Sequence, residues 1–175
     1  MPLARDLNEL LQKYGSAIAK SAESVLVPHH KSGAPLPDLS ELEAYRSTAT
    51  GRPFKFFDSQ RETIAGALAG LHVRKRVWMV ADCGTGKSAM SLATAWALLK
   101  HKPFRILVLC PSHLVRKWER ECECLLPGVA CKIIRSFGDL LKFEVASKTT
   151  PLPMVMIVSK EVDLIATGRA PVGRK

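Results

Sequence analysis

Long apolar runs are absent from this sequence. Its most apolar helix-forming stretch, residues 89–99, is interrupted by Ser91 and Thr94 and flanked by lysines. A membrane-spanning helix needs about 20 apolar residues, so this stretch is too short and too polar to be one. The first residues also lack the apolar core of a secretory signal peptide. These absences predict a soluble, intracellular protein of the cytoplasm.

Cysteine pairs and metal-ligand spacings are also scarce. The chain has five cysteines, an odd number, and Cys83 and Cys110 lie in or beside strand-to-loop turns where a disulfide would be awkward. Cys122, Cys124 and Cys131 offer three thiolates, but no histidine stands at zinc-finger spacing from them. Reduced, partly buried thiols are therefore favoured over a metal site.

Negative charge is scarce in one part of the chain. Residues 1–50 hold five Lys/Arg and six Asp/Glu, a net of −1, whereas residues 51–175 hold twenty-one and ten, a net of +11. This asymmetry indicates a polyanionic partner, most simply nucleic acid, although an excess of charge is also typical of a solvated surface. With 47% hydrophobic residues, 175 residues suffice for one α/β domain and a modest appendage.

The first 50 residues differ in pattern from the rest. Apolar residues recur at helical spacing at Leu3, Leu7, Leu10, Leu11, Tyr14 and Ile18, which predicts an amphipathic helix over about 3–26. Residues 28–40 contain three prolines and a glycine and are typical of a linker, and a short helix is predicted from Ser40 to about Tyr45. We therefore predict a helical extension with a linker over 1–50 and a separate domain over 51–175.

Beyond residue 50, predicted helices and strands alternate. The predicted helices cover 58–71, 87–100, 113–125 and 138–146, and the predicted strands cover 77–80, 105–110, 130–134 and 154–158. Such alternation predicts an α/β fold in which a parallel sheet is covered by helices on both faces.

The most informative segment is the run Ala81-Asp82-Cys83-Gly84-Thr85-Gly86-Lys87-Ser88, between a predicted strand and a predicted helix. Glycines at 84 and 86 let the backbone turn tightly and aim N–H groups at phosphate oxygens, at the positive end of the helix dipole. Lys87 would reach the β- and γ-phosphates, and the Ser88 hydroxyl would bind the bridging Mg²⁺. The alternative is that these glycines only punctuate a turn, but the strand–loop–helix setting favours nucleotide binding.

A second group of candidate residues follows the predicted strand 105–110. Pro111 and Ser112 lead into a predicted helix at the carboxyl end of that strand, where ligands bind in open parallel sheets. Ser112 and the N–H groups of His113 and its neighbour could hold a backbone phosphate, with Arg116 and Lys117 as countercharges. The alternative is an ordinary amphipathic helix that packs Trp118 into the core.

Together these segments resemble a known family. The series Gln60, ADCGTGKS, ILVLCPSHLVRKWERE and VMIVSKE resembles the first RecA-like lobe of superfamily 2 helicases, in particular Snf2-type translocases, in the order of their motifs Q, I, Ia and Ib. The resemblance covers residues 54–161. Alanine at the first position of the phosphate loop, here Ala81, is common in that family. The implied fold is an incomplete P-loop NTPase domain of the RecA type.

The resemblance implies a role for each matching residue. Gln60 would read the adenine edge, with Phe56 or Phe57 near the base, although the family commonly has an aromatic residue where this chain has Ser59. Gly84, Thr85, Gly86, Lys87 and Ser88 would hold ATP and Mg²⁺, with Ser88 as the metal ligand. Nucleic acid, DNA more than RNA, would contact Ser112 and its neighbours, with Ser159 and Lys160 near the same strand.

The acidic pair that this family uses for hydrolysis is missing. Hydrolysis needs one carboxylate to hold Mg²⁺ and another to orient water, and the family supplies them as adjacent Asp-Glu, a pair found nowhere in this sequence. We therefore predict a nucleotide-binding part of a longer helicase or translocase, with no catalytic residue of its own and with a second RecA-like lobe as partner. The alternatives are a non-catalytic nucleotide- or nucleic-acid-binding module and, less favoured, a small P-loop kinase.

Overall fold

The computed structural model describes residues 7–25, 30–31, 33–149 and 152–160. Its helices are α1 (Leu7–Val25), α2 (Ser40–Thr50), α3 (Asp58–Arg74), α4 (Lys87–Leu99), α5 (Val115–Leu125) and α6 (Phe137–Thr149). Its strands are β1 (Arg105–Cys110), β2 (Ala130–Ile134) and β3 (Met154–Ser159), and a 3₁₀ turn at Ser112–Leu114 precedes α5. Within this described part, no helix is long and apolar enough to span a membrane.

The sheet confirms the predicted α/β fold class. Its strand order is β1-β3-β2, and both pairings are parallel. Met156 at the centre of β3 is aligned with Leu107 on one side and with Lys132 on the other. All three strands match the predicted segments, with β3 one residue longer. The last strand in the chain is therefore the middle strand of the sheet.

Helices cover the two faces of the sheet unequally. On one face, Val108 and Ile157 pack in the main core with residues of α2, α4 and α5, and the other face of β3 packs against Phe143 of α6. The predicted coverage of both faces thus holds for β3. It does not hold for β1, because Leu107 and Leu109 are 53% and 64% exposed.

The predicted strand at 77–80 is wrong. Residues 76–80 adopt no strand pairing within the described part of the chain, and the side chains of Trp78 and Val80 are 89% and 93% exposed. An apolar run indicates that a segment favours burial, but a strand also needs a neighbouring strand to bond with. The three described strands all come from residues 105–159, and none of them pairs with this segment.

Helix α2 packs into the α/β unit rather than beside it. It runs to Thr50, five residues beyond its predicted end, and stops at Gly51, whose φ of 64° is left-handed. Leu39 and Leu42 are fully buried in the main core. The compact unit accordingly spans Pro35–Lys175, and Met1–Ala34, which contains α1, forms a separate unit. The division into a helical extension with a linker over 1–50 and a RecA-like domain over 51–175 stays a prediction.

Candidate nucleotide-binding site

The glycine-rich loop before α4 has the backbone conformation that its sequence predicts. Gly84 and Gly86 both have φ of 83°, in the left-handed region, and Gly86 is the N-cap of α4. Met90 N–H donates the first helical hydrogen bond, to Gly86 O, at 3.0 Å. The N–H groups ahead of it in the first turn have no carbonyl partner inside the helix. The loop and helix start therefore offer donors to an anion.

Lys87, which is predicted to bind the β- and γ-phosphates, contacts the glycine-rich loop. Its ammonium group donates to the carbonyl oxygens of Ala81 and Asp82, at 2.7 and 2.6 Å. The Thr85 hydroxyl donates to the same Asp82 oxygen at 2.8 Å. A phosphate group that bound here would replace neutral carbonyl acceptors of Lys87 with charged oxygens, which form stronger hydrogen bonds.

Gln60 reaches this loop from α3, although it lies 25 residues before Thr85. Its Nε2 donates to Thr85 O at 2.9 Å, and its Oε1 accepts from Phe57 N–H at 3.0 Å. A Cβ atom on Gly86 would stand 2.8 Å from Gln60 Nε2, so an alanine there would displace the Gln60 amide from its present position. The structure thus brings Gln60 together with the predicted phosphate loop.

An open cleft of about 360 Å³ lies between α3 and the loop. It is lined by Phe57, Ser59, Gln60, Thr63, Ala81, Gly84, Thr85 and Met90. Phe57 is 73% exposed, whereas Phe56 is buried in the core, so Phe57 is the aromatic side chain available to a base in this cleft. Thr63 was missed by the sequence analysis, although its position three residues after Gln60 places it on the same face of a helix.

The second group of candidate residues lies at one edge of the sheet. Cys110 and Ser159 are aligned at the ends of β1 and β3, and Lys160 N–H donates to Cys110 O at 2.9 Å. Ser112 comes two residues after the end of β1, so Ser112 and Ser159 lie at the same end of the sheet. Ser159 is buried, whereas Ser112 is exposed.

The helix that follows Ser112 begins later than predicted. Ser112 and His113 lie in the 3₁₀ turn, and α5 starts only at Val115. Arg116 and Lys117 are exposed on its first turn, and Arg116 forms an ion pair with Glu119 at 2.5 Å. Because Arg116 is 67% exposed, this pair contributes little to stability and leaves the arginine accessible.

A parallel strand at 77–80 would have placed the glycine-rich loop that follows it at the same edge of the sheet as Ser112. It would also have placed Arg74, Lys75 and Arg76, which precede it, at the opposite edge. Without it, the register of the sheet fixes neither placement. These three basic residues are exposed at the end of α3, where Lys75 is the left-handed C-cap with φ of 59°.

Cys122 and Cys131 are free cysteines that lie close together. The hydrogen bond between their thiols lowers the pKa of Cys131 and raises the pKa of Cys122. Cys131 is partly exposed and Cys122 is buried. Among the described residues, no group of three or more His, Cys, Asp or Glu side chains could hold a metal ion.

The parallel sheet, its helices and the glycine-rich loop form a small α/β unit similar to the RecA-like domain of a helicase. Residues 53–150, more than half of the chain, match the profile of the ResIII family, described as type III restriction enzyme, res subunit. The chain belongs to this family, which is helicase-like and of superfamily 2. The superfamily is thereby confirmed, and the Snf2-type assignment stays a prediction.

A solved structure supports the fold. It is that of a nuclease-deletion mutant of the Type ISP restriction-modification enzyme LlaGI in complex with a DNA substrate mimic. The TM-score is 0.50 at 22% sequence identity, over 61% of this chain. The chain spans 12% of the length of that enzyme. No curated protein matches the sequence significantly.

Proposed function

We propose that this chain is the ATP-binding part of an ATP-dependent helicase or translocase that acts on nucleic acid, together with a second RecA-like lobe. The observation that carries the proposal is the contact between Gln60 and Thr85. It joins the base side of the cleft, which is formed by Phe57 and Gln60, to the phosphate side, which is formed by Gly84 and Thr85. Membership of a helicase-like family supports the same activity. Within superfamily 2, the order of the motifs favours a Snf2-type translocase.

The described residues suit a magnesium nucleotide. The left-handed glycines and the first turn of α4 would bind phosphate oxygens through N–H groups, and Lys87 would exchange its carbonyl partners for the β- and γ-phosphates. The Ser88 hydroxyl would bind Mg²⁺, which neutralises charge on those phosphates. Phe57 and Gln60 would contact the adenine.

The sheet edge at Ser112 and Ser159 would face the nucleic-acid backbone. Ser112, His113, Arg116 and Lys117 would supply hydrogen bonds and positive charge to phosphodiester groups, without sequence preference. DNA is favoured over RNA because the structurally similar restriction enzyme was solved with a DNA substrate mimic.

Calorimetry of the chain with Mg²⁺-ATP tests the proposal. We expect Lys87→Ala to abolish most of the binding, because Lys87 supplies the direct positive charge on the β- and γ-phosphates. Lys100→Ala is the control, since Lys100 stands at the far end of α4 over the Trp96 ring. Equal ATP affinity for the wild type and Lys87→Ala would contradict nucleotide binding at this loop.

A non-catalytic binding module is the second candidate. It is favoured by the absence of an adjacent Asp-Glu pair from the whole sequence, because hydrolysis depends on such carboxylates. Under the first function, and under the second where the module binds nucleotide, the purified chain should bind ATP without turning it over. Turnover that nucleic acid stimulates and Lys87→Ala abolishes would show that the hydrolytic groups are present after all.

A further inference from the structure

Helix α2 is bonded to the segment that carries Phe57. Glu43 Oε1 accepts from Phe56 N–H at 2.8 Å and also from Arg61 Nη2 of α3. Arg61 Nε in turn donates to Phe56 O at 3.4 Å. Both polar groups of the Phe56 backbone are therefore held by the ion pair between Glu43 and Arg61, whose side chains are only 12% and 17% exposed.

These bonds continue to the phosphate loop. Phe57 N–H, one residue on, donates to Gln60 Oε1, and Gln60 Nε2 donates to Thr85 O. An unbroken series of hydrogen bonds thus connects α2 with the loop, through the backbone on which Phe57 stands. Phe57 itself has φ of −65° and ψ of 154°, an extended conformation that turns its side chain out of the core.

We propose that Glu43 is a positioning residue of the nucleotide site, which holds the backbone at Phe56 so that Phe57 and Gln60 face the base. The inference rests on the proposed function, because it concerns how the same cleft binds the base of ATP. Glu43 lines no part of the cleft, and it acts through Phe56 and Arg61. Glu43 has no described hydrogen bond of its own to residues 81–88 and reaches Thr85 only through Gln60, so its loss should affect the base side of the cleft more than the phosphate side.

The loss of Glu43 should leave α2 in place. Leu39 and Leu42 anchor this helix in the core, and Arg46 bonds to Glu121 of α5 at 2.7 Å. Removing the Glu43 carboxylate would instead leave Phe56 N–H and the Arg61 guanidinium without this acceptor in a partly buried place, which favours local rearrangement.

The test compares the affinity of the full chain for Mg²⁺-ATP and for Mg²⁺-tripolyphosphate, which has no base. Glu43→Ala should weaken ATP binding by about tenfold, because removal of a buried hydrogen-bond partner has an effect of that order, and it should weaken tripolyphosphate binding much less. Arg61→Ala should act in the same way. Glu43→Gln keeps an acceptor for Phe56 N–H but loses the ion pair, so its ATP affinity should fall between those of the wild type and Glu43→Ala.

Glu121→Ala is the matched control. It breaks the ion pair of similar exposure that joins α2 to α5 and leaves Arg46 over the Phe54 ring, so the ratio of the two affinities should stay at its wild-type value. If Glu43→Ala and Glu43→Gln leave the ratio of ATP affinity to tripolyphosphate affinity unchanged, the proposed role of Glu43 is overturned, but nucleotide binding by the chain is not. A wild-type chain that binds neither ligand overturns the proposed function and this inference together.

Discussion

Gly86 has a left-handed backbone conformation, and the Gln60 amide lies where a Cβ atom on this residue would stand. Its left-handed φ follows from its place in a phosphate-loop motif, so the sequence alone predicts it. Its closeness to Gln60 is different, because the two residues lie 26 positions apart and only the fold brings them together. The backbone conformation of the glycine-rich loop could thus be predicted from a local pattern, whereas Gln60 was assigned only through a family resemblance.

We expect Gly86→Ala to destabilise the chain more than Gly84→Ala. Both glycines have φ of 83°, so both alanines would be strained by about 1–2 kcal/mol. Only the Cβ atom at 86 would also displace the Gln60 amide, since nothing lies within 4 Å of the corresponding position at 84. Urea unfolding of the two variants measures the difference. Equal free energies of unfolding would mean that Gln60 does not rest on Gly86 in solution.

The hydrogen bond between Cys122 and Cys131 predicts how alkylation of Cys131 depends on pH. Because the bond lowers the pKa of Cys131 from its ordinary value of 9.0, the thiolate forms first at Cys131 as the pH rises. Iodoacetamide should therefore modify Cys131 with a midpoint below pH 9 and spare the buried Cys122, as peptide mass spectrometry can show. In Cys122→Ala the hydrogen bond is gone, and the midpoint should rise. An unchanged midpoint would contradict the hydrogen bond.

Among the helices and strands, those indicated by a local sequence pattern could be predicted, whereas features that depend on a neighbouring element could not. Strands β1, β2 and β3 and most helices fall within a few residues of their predicted bounds, because alternating apolar segments and turn residues are local signals. The segment 77–80 has the same apolar pattern as those strands, but it has no neighbouring strand to pair with among the residues that the structure describes. The ion pair between Glu43 and Arg61 joins two helices across a proline-containing connection, and no sequence spacing indicates it.

The position of α2 in the core predicts the outcome of two truncations. Removing residues 1–34 should leave the urea midpoint of the remaining unit unchanged, because that unit begins at Pro35. Removing residues 1–50 deletes Leu39 and Leu42, each a fully buried side chain, and a single such leucine replaced by alanine already costs about 2–5 kcal/mol. The shorter chain should therefore lose its cooperative transition. Equal midpoints for the two truncations would show that α2 is dispensable.

At the scale of the whole molecule, positive charge is spread over several surfaces. The sequence predicts a polyanionic partner from a net charge of +11 in residues 51–175, but it does not determine which of the basic residues face that partner. The structure exposes Arg116 and Lys117 near the sheet edge and Arg74 and Lys75 at the end of α3. A measurement at several salt concentrations separates these two surfaces.

We expect the double variant Arg116→Gln/Lys117→Gln to bind DNA more weakly than the wild type. Its salt dependence, the slope of log affinity against log salt, should fall by about 0.7–0.9 for each phosphate that the variant no longer neutralises. The variant Arg74→Gln/Lys75→Gln removes the same charge elsewhere and should have the smaller effect. An equal reduction of DNA affinity and salt slope in the two double variants would mean that the chain attracts DNA by its overall charge and not through the edge at Ser112.

The strand order also has a consequence for synthesis of the chain. β3 is the middle strand of the described sheet, and both β1 and β2 pair only with it. On a ribosome, neither pairing can therefore form until residues 154–159 have emerged from the exit tunnel. Glu43 and Arg61, by contrast, are only 18 residues apart and can meet much earlier, since contacts between near residues close sooner. The base side of the cleft would thus take shape on a nascent chain that still lacks its sheet.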